Sequence, residues 1–134
     1  MQRHFLALLP LLLGSHLAVS QTIPPVPSEP MVSLGAAGNR AGYLVETQRE
    51  ADFSLLEVKT APGNDRAFTE LVLKGMCAAL ESRSAPYVAA KRVPGYYPAF
   101  RITFPENAKE ADLASKIALV RSISECRAVQ SRTP

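Results

Sequence analysis

Few side chains in this sequence could do chemistry, and their spacing limits what that chemistry would be. The two histidines are His4 and His16, both within the first twenty residues, and tryptophan is absent. If those residues are removed, no imidazole remains, so Ser-His-Asp and Cys-His nucleophilic systems and imidazole metal sites are all excluded. Cys77 and Cys126 are the only cysteines. Two sulfurs alone cannot build a zinc site, and no C-x-x-C spacing marks a redox pair. Conventional acid–base work is left to carboxylates. Asp52 and Glu57 lie five apart, and Glu46 and Glu50 four apart. A hydrolytic pair would need two carboxyls facing across a cleft at roughly 5–10 Å, and nothing in these spacings specifies that. The glycines Gly35, Gly38 and Gly42 lack the spacing and the preceding strand of a phosphate loop. Gly63-Asn64-Asp65 reads as a helix cap. Neither a cofactor nor a metal is expected, and no enzymatic activity.

One cluster suits recognition instead. Lys91, Arg92, Tyr96, Tyr97 and Arg101 place cations and aromatics close together, types that supply contact area, donors and stacking where proteins meet partners. The alternative is that the tyrosines simply pack over a sheet edge. Fifteen Lys and Arg stand against twelve Asp and Glu, a net charge of +3. That balance is too even to argue for nucleic acid or an acidic membrane surface as the partner.

The elements that must position this cluster begin after a leader. Met1–His4 is positively charged, Phe5–Leu13 is an apolar run broken by Pro10, and Ala18 and Ser20 are the small residues before a cut at Gln21. That is the layout of a secretory signal peptide over residues 1–20, too short and interrupted to read as a membrane span. Export to the periplasm or the extracellular space follows, and with it a structural Cys77–Cys126 disulfide. Closing a loop of about 50 residues would contribute about 4 kcal/mol by the chain-entropy estimate. Residues 21–40, with prolines at 24, 25, 27 and 30, read as a flexible spacer. A single α+β domain is expected over 41–134.

Within that domain Phe53–Thr60 reads as a strand and Gly42–Gln48 as a strand or a helical turn, with a turn at Arg49–Asp52 between them. From Arg66 the apolar spacing Phe68, Leu71, Val72, Met76, Ala79 is helical, with Cys77 at the border of the apolar face. Tyr87–Val93 and Ala99–Phe104 flank Pro94–Pro98 as a hairpin. From Ala108 a second helix is expected, carrying Leu113, Ile117 and Val120 on one stripe and reaching Cys126. The fold class is therefore a small ferredoxin-like β-α-β-β-α arrangement: an antiparallel sheet with two helices on one face, one disulfide between them and an extra strand at either end. Over Phe53–Gln130 this order, with Tyr96 and Tyr97 before the Ala99–Phe104 strand, is similar to that of the peptidoglycan-binding SPOR domains of bacterial envelopes. No specific motif is shared, so the likeness carries over no binding residue.

The expected function is an exported, non-enzymatic binding, adaptor or inhibitor-type domain. Its partner would be a protein or envelope polymer, and the chain is not expected to be an integral membrane protein. The alternatives are a structural envelope component acting by self-association and a histidine-free carboxylate hydrolase. The first would show a large exposed apolar patch or an open strand edge. The second would show two acids in one pocket, one with a raised pKa.

Overall fold

The structure, a computed structural model, describes residues 32–36, 39–95 and 98–131. The leader, residues 21–31 of the spacer, and Tyr96 and Tyr97 lie outside the described residues. Six strands form one antiparallel sheet: β1 Val32–Ala36, β2 Asn39–Arg49, β3 Phe53–Thr60, β4 Tyr87–Arg92, β5 Ala99–Thr103 and β6 Leu119–Ser122. Three helices accompany them: α1 Asp65–Glu81, α2 Ala108–Ala114 and α3 Ile123–Ser131. β1 and the start of β2 fall inside the segment read as spacer, where Val32 and Leu34 pair with Leu44 and Gly42.

The class is α+β with one disulfide, but the spatial order is β1-β2-β3-β5-β4-β6. In a ferredoxin-like sheet the last strand would lie beside the first strand of the motif, here β3. That edge of β3 is already taken by β2, paired from Tyr43–Thr60 to Arg49–Ser54 with register shifts between Tyr43 and Leu44 and between Glu46 and Gln48. β6 instead pairs with β4, from Tyr87–Ser122 to Ala90–Leu119.

The alternation of β3 shows how the sheet divides. Ser54, Leu56 and Val58 are buried on one face, while Phe53, Leu55 and Glu57 are half-buried on the other. The first face meets α1. Asn64 opens that helix by accepting the Ala67 N–H at 2.8 Å, a bond that satisfies an otherwise orphaned first-turn donor. The apolar stripe of α1, including Leu71, Met76 and Leu80, closes over Leu56, Val88 and Ile102 as the core. Contact is close enough that a Cβ on Gly75 would stand 2.7 Å from Leu44. Fully burying each such aliphatic chain stabilises the fold by about 1.5–3 kcal/mol.

α2 packs against β4 and β6. The β3-α1-β4 and β5-α2-β6 crossovers step the same way across the sheet from oppositely directed strands. Right-handed connections of that kind put their helices on opposite faces. Buried Ala89, which points away from the α1 core, fits this placement. α3 returns to the α1 side, where Cys126 joins Cys77 with Cα atoms 5.2 Å apart.

The single helix expected from Ala108 through Cys126 is thus two helices separated by a strand. α2 ends at Ser115, whose hydroxyl donates to the Asp112 carbonyl at 2.6 Å. Leu119 and Val120 extend to pair with β4, and α3 then starts afresh at Ile123.

Candidate functional site

The hairpin cluster is divided by the pleat of the strands that carry it. Neighbouring residues on a strand point to opposite faces. Lys91 stands opposite Arg101, and Arg101 opposite Leu55, so these three share the face away from α1. Arg92 stands opposite Phe100 on the α1 face, where it lines a depression with Pro62, Asn64 and Phe68. The structure therefore brings Lys91 and Arg101 together and places Arg92 elsewhere.

Lys91 and Arg101 are both exposed. Two like charges directly opposite on adjacent strands disfavour the pairing by a few tenths of a kcal/mol to about 1 kcal/mol. Among the described residues no carboxylate forms an ion pair with either. Arg101 turns toward β3 instead, its guanidinium carbon 3.7 Å from the centroid of the Phe53 ring. Stacking of this kind holds the guanidinium plane in place while leaving its edge donors available. Glu57, a carboxylate of the same face, is engaged by Lys59 at 3.2 Å. Hydrogen bonds from Thr47 and then Lys59 hold its pKa below the ordinary value. Beside the cation pair, Thr47, Gln48, Leu55, Glu57, Val93 and Ala99 line a shallow depression of about 350 Å³.

A second polar cluster lies on the α1 side and is buried. The Glu46 carboxylate accepts from Arg49 Nε at 2.9 Å and from the Ser54 hydroxyl at 2.5 Å, and Arg49 Nη2 donates to its other oxygen. Burial pushes this carboxyl up, but the bonds from Arg49 and Ser54 and the charges of Arg49 and Arg83 outweigh it, and its pKa ends below the ordinary value. Arg83, just past the end of α1, donates to the Ala51 and Phe53 carbonyls at 3.0 Å each and to the Ser54 hydroxyl at 2.8 Å. Its guanidinium sits 4.5 Å from the Phe104 ring centroid. The cluster pins the end of α1 to the β2–β3 turn. Its carboxylate and hydroxyl are closed off, since Ser54 is fully buried and Glu46 is 4% exposed, while Arg83 is half-buried and lines a surface depression with Asp52, Phe104 and Glu106.

Neither of the acid pairs close in sequence forms a facing dyad. Glu46 is buried in that cluster while Glu50 is exposed, and Asp52 is exposed before β3 while Glu57 belongs to the open face. Glu46, Glu57 and Glu125 all have lowered pKa values. Among the described residues no group of three or more His, Cys, Asp or Glu stands close enough to hold a metal. Asn64 is occupied as the α1 cap. The α1–α3 contact leaves a cleft of about 280 Å³ over the disulfide, walled by Leu80 and Ile123. No described helix is long and apolar enough to cross a membrane.

Sequence reasoning missed the Glu46 cluster and the stacking of Arg101 on Phe53. A signal existed for the first. Glu46 shares the inward face of β2 with Leu44, and Arg49 follows three positions later. No protein-family model, curated protein or solved structure matches the chain, so its function must be read from this geometry.

Proposed function

We propose that the chain is an exported binding domain of adaptor or inhibitor type, acting on a protein or polymer partner in the periplasm or outside the cell. The observation that carries this reading is the face of β3 and β5 turned away from α1. There an exposed cation pair adjoins half-buried Phe53 and Leu55. A pre-formed, rigid surface of mixed apolar and cationic character suits recognition, because little conformational entropy is lost when a partner docks on strands. The leader of residues 1–20 and a disulfide compatible with an oxidising compartment support the exported setting.

The test is affinity capture from envelope and culture-medium extracts with the oxidised chain. A Leu55→Glu variant, which places a charge in the middle of the face, serves as the comparison. A protein or glycan retained by the natural chain and lost with Leu55→Glu is the expected result. Equal retention by both, or retention of nothing by either, overturns the reading.

Self-association is the second reading. It is favoured by Leu113 and Ile117 at the end of α2, which are 55% and 67% exposed. Sedimentation of the natural chain and of Leu113→Ser/Ile117→Ser decides it: a dimer that the double variant abolishes would favour self-association.

A further inference from the structure

We propose that the β3–β5–β4 face is a seat for an extended acidic peptide of a partner protein. Lys91 and Arg101 would hold a carboxylate, and the neighbouring depression would take an apolar side chain two residues along. The proposal rests on the binding reading above and specifies the chemistry of the partner.

Three observations lead to it. First, Lys91 and Arg101 form a cross-strand like-charge pair, with no ion-pair partner among the described residues. A carboxylate placed between them would relieve the repulsion and accept from both, with the guanidinium edge offering a two-pronged contact. Second, Arg101 is held by Phe53 at 3.7 Å, and Glu57, an acid of that face, is held by Lys59 at 3.2 Å. The two opposite charges are thus drawn apart, and the site keeps its positive character. Third, the depression lies one pleat along the same face, with an apolar side of Leu55, Val93 and Ala99 and a polar side of Thr47, Gln48 and Glu57. Ala99 is two positions from Arg101 on β5, a separation of about 7 Å along an extended chain. Side chains at i and i+2 of an extended peptide are the same distance apart and point the same way. A carboxylate at i and an apolar group at i+2 therefore fit both subsites at once.

The same features argue against an acidic polysaccharide. Sugar rings dock on open aromatic faces, and here the Phe53 face is covered by the Arg101 guanidinium. A uronate would also leave the apolar side of the depression, at Leu55, Val93 and Ala99, unfilled.

The experiment is fluorescence anisotropy of the full oxidised chain with a capped, labelled heptapeptide. The peptide carries one glutamate and, two positions on, one valine between threonines. Peptides with glutamine for the glutamate, or serine for the valine, and labelled polygalacturonate are run alongside. The natural chain should bind the first peptide, with affinity falling as salt is raised. Lys91→Ala and Arg101→Ala should each weaken it about tenfold or more, while Lys109→Ala on α2 stays within twofold. The glutamine peptide should lose binding, and the serine peptide should lose several-fold. Binding unchanged in Lys91→Ala/Arg101→Ala overturns the proposal, as does no binding by the natural chain up to millimolar peptide. Polygalacturonate binding in place of the peptide also overturns it. A partner captured through Leu55 but indifferent to Lys91→Ala/Arg101→Ala would leave the binding reading standing and remove this proposal alone.

Discussion

At the scale of single residues, the buried Glu46 carboxylate is the most consequential charge in the described chain. Its side chain is 1% exposed and bound by Arg49 and Ser54. Its pKa is lowered in the folded protein, so the stability it contributes is complete above the ordinary carboxylate range and is lost as pH falls through the lowered value. Glu46→Gln should cost about 3 kcal/mol near neutral pH, because it strips Arg49 and Arg83 of a buried counter-charge. The gap between natural and variant chains in urea melts should narrow as pH is lowered below about 4. A gap that stays constant with pH would contradict this account of Glu46. Little of this was legible in sequence. A glutamate in a strand reads as a solvated face, and its partners Ser54 and Arg83 are 8 and 37 positions away, brought near by β2–β3 pairing and by the end of α1. The hairpin cations were visible by type, but only the register of β4 against β5 shows that Lys91 and Arg101 share a face that Arg92 does not.

At the scale of elements, β2 to β5 and α1 were readable from their residue patterns, whereas β1 lies in the segment read as spacer. Phe53–Thr60 has the bounds expected of it, and Asn64 caps α1 as its type suggests. The second half of the chain was not, since the apolar spacing from Leu113 to Cys126 fits one long helix while the structure makes two. The missing signal is Ser122-Ile123-Ser124-Glu125, a capping box. The Ser122 N–H donates to Glu125 at 2.8 Å, and the Glu125 N–H donates back to the Ser122 hydroxyl at 3.2 Å. That reciprocal pair starts a helix at Ile123 and frees Leu119–Ser122 to join the sheet. The backbone bond from Ser122, the largest influence on Glu125, holds its pKa below the ordinary value. Ser122→Ala should therefore destabilise the domain by about 1 kcal/mol in denaturant melts. Hydrogen exchange should quicken in α3 more than in α1, and equal change in both helices would count against a local cap.

At the scale of the whole molecule, the sheet order and the disulfide act together. β2 occupies the edge of β3, so the last strand closes the other side beside β4, and α3 must then return to α1. The Cys77–Cys126 bridge fastens that return, helped by the Gln130 amide donating to Glu81 at 2.8 Å. The even cysteine count made the bridge legible in advance; the order of the strands was not, because it depends on which edge of β3 is already paired. Cys77→Ala/Cys126→Ala should lose about 2–5 kcal/mol of stability. The account as a whole depends on maturation in an oxidising compartment after removal of the leader. Intact mass spectrometry of the protein purified from its native source, alkylated without prior reductant, tests that directly. The expected species begins at Gln21 and takes up no alkyl group, whereas a chain that keeps Met1, or carries two alkylated cysteines, would contradict it.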